Sequence, residues 1–158
     1  MVKESTMKFL ELKIPPLLLL IAFMAGAWLL RAPNAPLIAI NFHNMLAVIV
    51  GLIGLLAIML GVFHFHQKKT SVDPRFPDQT SSLVAHGIYR FSRNPMYLGF
   101  ALILTGWCVF LASLSAALLV PVFMFYLDRW QIQPEERILE SIFKQEYLAY
   151  KARVRRWL

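Results

Sequence analysis

Apolar positions in this chain fall in long runs rather than at the three-to-four-residue spacing of a surface helix. The first run covers residues 14–30, with Pro15 and Pro16 at its mouth, where proline fits a helix start. The second covers 45–65 and meets the roughly 20 residues that a membrane-spanning helix requires. Between them Arg31, Ala32, Pro33, Asn34, Ala35 and Pro36 read as a tight loop, because two prolines and an asparagine break regular structure. The first run does not read as a cleavable signal, since no small-residue cleavage site stands out and a second span follows. The third run, 97–127, is too long for one span: as a single helix it would measure about 46 Å against a hydrocarbon core of about 30 Å. It reads as two spans, about 95–111 and 115–130, turning at the small residues of 111–116.

Two polar stretches remain. The loop 66–94 carries Asp73, Pro74, Arg75, Phe76, Pro77 and Asp78, then Ser81 to Tyr89. A loop of that length is usually functional or disordered, and its apolar content (Phe76, Leu83, Val84, Ile88, Tyr89, Phe91) argues against disorder throughout. The tail from Pro134 reads as an amphipathic helix over about 135–156. Proline and two acidic residues, Glu135 and Glu136, open it. Ile138, Leu139, Ile142, Phe143, Tyr147, Tyr150 and Val154 then lie close to one face.

Composition supports a membrane class. Of 158 residues, 58% are hydrophobic and only 16% charged, too apolar for a soluble domain of this size. The length allows one domain. Charge decides the number of spans. With four, the amino terminus, the 66–94 loop and the carboxyl tail share one side, and every one of the 16 lysines and arginines except Arg31 lies there. With three, the cationic tail would lie outside, against the positive-inside preference. The expected architecture is therefore all-α and multi-pass, with four transmembrane helices and both termini cytoplasmic. The basic end of the tail, Lys151, Arg153, Arg155 and Arg156 beside Trp157, suits the inner leaflet.

Several chemistries are disfavoured. The single cysteine, Cys108, excludes an internal disulfide and a cysteine-rich metal site. His64 and His66 stand two apart on one helix with no cysteine or nearby carboxylate to complete a ligand set, and His43 and His86 stand apart; no metal site is expected. The scattered glycines form no phosphate-cradling loop, and within spans they suit helix packing. No nucleic-acid partner is expected.

Two clusters carry candidate chemistry. One runs from Gly87 through Tyr89, Arg93, Asn94, Pro95, Met96 and Tyr97 to Gly99. The other holds Asp128, Arg129 and Trp130, then Glu135 and Glu136. If spans three and four form a hairpin, both emerge at the same membrane surface. Read structurally, the first cluster is an interfacial collar of arginine and tyrosine, and the second is a solvated helix start.

The pattern Gly87-x-Tyr89-x-x-x-Arg93-Asn94-Pro95-x-Tyr97-x-Gly99, followed by Glu135-Glu136-x-x-Leu139-x-x-x-Phe143-x-x-x-Tyr147-x-x-Tyr150-x-x-x-Val154, resembles the isoprenylcysteine carboxyl methyltransferase and phospholipid methyltransferase family of integral membrane enzymes. The resemblance covers about 81–158. It implies an S-adenosylmethionine site lined by Ser81, Ser82, Leu83, Val84, Tyr89, Asn94, Pro95, Met96 and Tyr97, with Glu135 binding from the tail and Glu136 adjacent. It also implies an arginine near the paired glutamates that meets a carboxylate substrate. Arg129 is the nearest candidate, although a gapless alignment places Gln131 there. Two positions depart from the family pattern: Asn94 stands where many members have histidine, and Lys144 where a glycine commonly follows the phenylalanine.

The implied activity is methyl transfer from S-adenosylmethionine, at the cytoplasmic membrane face, to a lipidic or small hydrophobic acceptor bearing a carboxylate, thiol or amine. Tyrosine faces suit a sulfonium and an adenine ring, and a carboxylate suits an ammonium group or ribose hydroxyls. The rival reading is a non-enzymatic membrane subunit whose basic tail docks on lipid or a partner. A sterol-type reductase is disfavoured, because the chain is short for both a nicotinamide cofactor and a sterol.

Overall fold

A computed structural model describes residues 11–31, 42–68 and 82–158, and every regular element among them is helical. In chain order these are α1 (Pro16–Leu29), α2 (Phe42–Gln67), a 3-10 turn (Gly87–Arg90), α3 (Pro95–Phe110), α4 (Leu114–Ala117), α5 (Leu119–Leu127), a π-helical turn (Asp128–Ile132) and α6 (Gln133–Arg153). The segment holding Asp73 to Asp78, and Ser81, lies outside the described residues.

Helices α1 and α3 begin where proline occupies the first turn, as the sequence expects. α2 is longer than the apolar run alone indicates. It reaches back to Phe42 and forward to Gln67, so His66, the first residue of the expected loop, joins His64 on its last turn. At 26 residues it is the one described helix long and apolar enough to cross a membrane. Much of its apolar surface, including Val48, Leu52, Met59 and Phe63, faces outward.

α2 and α3 pack backbone to backbone. A Cβ added at Gly54 would sit 2.6 Å from the Gly99 carbonyl oxygen, and one added at Gly99 would sit 2.5 Å from that of Gly54. Only glycine permits this approach, the usual device of membrane helix pairs. α1 closes the other side of α3. Leu19, Leu20 and Ala27 bury against Leu104, Cys108, Phe123 and Leu127, Phe23 and Phe123 lie 5.1 Å apart, and the Trp107 indole donates to the Met24 carbonyl at 3.0 Å.

The turn expected over 111–116 is present. Ala112 takes a positive φ of 46°, and Ser113 caps α4 by accepting from the Ala116 amide.

The fourth apolar segment differs from expectation. Rather than one span over 115–130 and a separate tail over 135–156, α4 and α5 are followed by a π-helical turn that runs without interruption into α6. The physical reason lies in the neighbours of that turn. The Trp130 carbonyl accepts from the Leu12 amide at 3.0 Å, and the Gln131 side chain donates to the Ile14 carbonyl at 2.7 Å. Both polar groups are satisfied by the segment preceding α1, so the wider turn costs little. α6 in turn is not one straight helix: Lys144 has φ 45° and ψ −116°, and the axis breaks there. This is the position where the sequence carries lysine in place of the family's common glycine, and it holds a conformation that glycine adopts most readily. The helix ends at Arg153, and residues 154–158 turn back toward the start of α3.

Candidate active site

The returning chain end is gripped by the segment that precedes α3. The Arg93 amide donates to the Arg155 carbonyl at 3.0 Å, and its guanidinium donates to the Lys151 and Val154 carbonyls at 3.2 and 2.7 Å. The Asn94 side-chain amide donates to the Arg156 carbonyl at 3.0 Å. Arg93 and Arg156 both bind Glu136, at 2.7 Å to one oxygen and 2.7 Å to the other, and Arg156 also reaches Asp128 at 2.9 Å. Glu136 is buried. Burial works to raise its carboxyl, but the hydrogen bonds and charges of Arg156 and Arg93 outweigh this and hold it below the ordinary value. The same bonds raise the Arg156 guanidinium further. Glu136 is thus a structural anion that ties α6, the chain end and the entry to α3 into one unit.

Glu135, one residue earlier, faces elsewhere. Its carboxylate accepts from the Tyr97 hydroxyl at 2.5 Å, across 38 residues of sequence. The pair stands on the wall of a cavity of about 320 Å³ enclosed by the 82–97 segment, the last turn of α2, the first turn of α6 and the residues entering α1. The size falls at the lower end of the roughly 300–1,000 Å³ range of small-molecule sites.

Of the residues singled out from sequence, Ser82, Leu83, Val84, Tyr89, Asn94, Met96, Tyr97, Glu135 and Glu136 line this cavity. Pro95 does not. It is fully buried as the first residue of α3 and acts on the site by setting where that helix begins. Arg129 does not line it either, and bonds Gln133 at 3.0 Å along its own helix. The π-helical turn places Gln131 on the wall in its stead. Of the two positions weighed for the substrate contact, Gln131, the one a gapless alignment indicates, borders the cavity and Arg129 does not.

Sequence reasoning also missed half of the wall. Phe65 from α2, Leu12, Ile14, Pro15, Pro16 and Leu17 from the entry to α1, and Tyr147 and Tyr150 from α6 all border the cavity. The two tyrosines were legible as an apolar face but not as cavity lining. The Tyr150 hydroxyl donates to the Tyr89 carbonyl at 2.8 Å, and Phe65 meets Tyr89 edge-on at 5.5 Å. Burial, then the nearby Tyr150 and Glu135, push the Tyr89 hydroxyl well above its ordinary value. Burial does the same, as the leading cause, at Tyr147 and Tyr150. These phenols stay neutral, so they act as hydrogen-bond donors and aromatic walls rather than as bases.

His64, on α2, packs against Gly87, whose φ of 60° and absent Cβ make room for the ring, and meets His86 at 5.2 Å between ring centroids. Among the described residues no group of three or more potential metal ligands exists.

The cavity therefore sets the polar groups of Glu135, Tyr97 and Gln131 beside the apolar residues that enter α1, and is bordered by aromatic rings. The phospholipid methyltransferase family profile matches residues 42–146. An uncharacterized protein of Haemophilus influenzae is 46% identical over 63 residues, which is 40% of this chain and the whole of that protein. Protein-S-isoprenylcysteine O-methyltransferase A of Arabidopsis thaliana is 33% identical over 73 residues, 46% of this chain but only 37% of that relative's length. No solved structure matches the chain significantly. With the family profile spanning well over half of the sequence and both motifs set on one cavity, the chain belongs to the phospholipid methyltransferase family of membrane methyltransferases.

Proposed function

We propose that the chain is an S-adenosylmethionine-dependent methyltransferase of the membrane, acting at the cytoplasmic face on a lipidic or small hydrophobic acceptor that bears a carboxylate, thiol or amine. The observation that carries this reading is the Tyr97–Glu135 pair on the wall of an aromatic-bordered cavity. The residues present fit the cofactor. A carboxylate at Glu135 suits its ammonium group or ribose hydroxyls, and the faces of Tyr89, Tyr97 and Phe65 suit its sulfonium and adenine. Bound there, the cofactor supplies an electrophilic methyl group. The protein's part is to hold donor and acceptor in line, which can account for much of the rate of such a displacement. Tyr97 fixes the Glu135 carboxylate. Glu136, held by Arg93 and Arg156, fixes the wall behind it. Leu12, Ile14, Leu17 and Leu139 add an apolar lining suited to a hydrophobic acceptor.

The single domain is read as four spans, about 14–30, 45–65, 95–111 and 115–130, with both termini cytoplasmic. Three points support this arrangement: the distribution of basic residues, which falls on one side only with an even number of spans, the outward apolar surface of α2, and the packing of α3 against α5. The test of activity is mass spectrometry of membranes incubated with methyl-labelled S-adenosylmethionine and the purified chain. Label in a lipid or lipidated acceptor, absent with Glu135→Ala, is the expected result. No label above a chain-free control would contradict the reading.

A further inference from the structure

Behind the cavity lies a second recess, of about 240 Å³, lined by Ala85, Arg90, Tyr150, Arg153 and Val154. Arg90 ends the 3-10 turn and Arg153 ends α6, so the fold brings together two exposed guanidiniums that are 63 positions apart. Neither has an ion pair among the described residues. The one bond recorded for Arg153 uses Nε, which donates to the Ala149 carbonyl at 3.2 Å along its own helix. Arg93, Arg156 and Lys151 nearby are each paired with a carboxylate, whereas Arg155, for which no ion pair is recorded among the described residues either, lies outside the recess. Two like charges facing one recess repel each other unless an anion lies between them. Tyr150 also lines the recess and is fixed by its bond to the Tyr89 carbonyl. Phe91, next in sequence to Arg90, is 73% exposed, an aromatic ring beside a cation, as at a membrane interface.

We propose that this recess binds the phosphate of an anionic phospholipid from the cytoplasmic leaflet, with Arg90 and Arg153 as the phosphate ligands and Phe91 set into the lipid beside them. Forked guanidiniums match phosphate geometry, donating two parallel bonds each. A lipid rather than a free anion is favoured because the exposed Phe91 ring stands next to Arg90 and because Lys151, Arg155 and Arg156 add further cations beside Arg153 in sequence. The proposal rests on the membrane placement given above but not on the methyl-transfer reading. It assigns a site separate from the cavity, with Tyr150 as the shared wall.

The test is native mass spectrometry of the full chain in neutral detergent, titrated with short-chain phosphatidylglycerol, with phosphatidylcholine and with inorganic phosphate. Phosphatidylglycerol should bind at least about tenfold more tightly than phosphatidylcholine. Arg90→Gln and Arg153→Gln should each weaken it by about fivefold, and the double variant should abolish the preference. Arg155→Gln, an exposed cation outside the recess, should leave it unchanged. Both ligands are exposed, so folding is not expected to suffer, and circular dichroism checks each variant. The Arg90→Lys/Arg153→Lys pair, which keeps the charge but not the paired donors, should retain only part of the preference. Equal binding of the two lipids, or an equal loss with Arg155→Gln, overturns the proposal. Displacement of the lipid by millimolar inorganic phosphate overturns the assignment to a lipid. A cofactor titration of the same double variant reads the larger cavity separately, so failure of one site is distinguishable from failure of the other.

Discussion

The Tyr97 hydroxyl donates to Glu135 Oε1 at 2.5 Å, joining the first turn of α3 to the first turn of α6. Neither residue reaches the other unless the chain between them folds as a hairpin and returns to the same level. Tyr97→Phe removes the donor and leaves the ring. A hydrogen bond to a charged group contributes about 1.5–3 kcal/mol, so affinity for S-adenosylmethionine should fall by roughly tenfold or more if that bond holds the carboxylate in its binding position. Calorimetric titration of the variant measures this. Unchanged affinity would show that Glu135 needs no positioning by Tyr97.

Glu136 should behave differently from its neighbour. Its carboxylate is buried between Arg93 and Arg156, and breaking a buried pair by removing one partner costs about 3–5 kcal/mol. Glu136→Gln should therefore lower the melting temperature in detergent much more than Glu135→Gln does. A similar loss in both variants would show that the network around Glu136 contributes little.

The same carboxylate predicts a pH dependence. Its folded value lies below the ordinary 4.5, so its contribution to stability is present above about pH 4.5 and is lost as pH falls through the depressed value. Melting temperature should decline on acidification below that point in the native chain. The part of the decline due to Glu136 should be missing in Glu136→Gln, as a melting series from pH 7 to pH 3 would show.

Lys144 holds φ 45° and ψ −116° at the break in α6. Lysine pays a steric cost in that region that glycine does not. Lys144→Gly should raise stability by about 1 kcal/mol or less, the gain being offset by greater freedom of the unfolded chain. A chemical denaturation midpoint that falls would indicate that the break is not held in this conformation.

These particulars show what the sequence could and could not convey. Apolar runs and proline positions locate α1, α2 and α3 closely, because length and hydropathy are local properties. The convergence of Tyr97 with Glu135 was legible through charge alone, since the basic residues fall on one side only with an even number of spans. The π-helical turn was not legible. It depends on the Trp130 carbonyl meeting the Leu12 amide and on Gln131 meeting the Ile14 carbonyl, contacts across more than 110 residues. Within it lies Gln131, the position a gapless alignment indicated, on the cavity wall. The folding back of Arg156 onto Glu136 was equally hidden, because the basic chain end reads locally as a lipid-facing surface. Both positions that depart from the family pattern carry structure: Asn94 bonds the returning chain while also lining the cavity, and Lys144 sits at the helix break.

The four-span arrangement can be tested by thiol labelling from either side of intact vesicles. The native Cys108 is buried, so added cysteines report alone. Leu114→Cys, at an 85% exposed position between α3 and α5, should react with an impermeant reagent from the outer side. Ala152→Cys, near the end of α6, should react only after the membrane is opened. Labelling of both from the same side would contradict the hairpin.

The most direct test of the central claim is calorimetric titration of the detergent-solubilised chain with S-adenosylmethionine, beside Glu135→Ala under conditions where circular dichroism shows both folded. The account predicts saturable one-to-one binding to the native chain and a loss of at least about tenfold in the variant. No binding to the folded native chain, or equal binding to both, would contradict it.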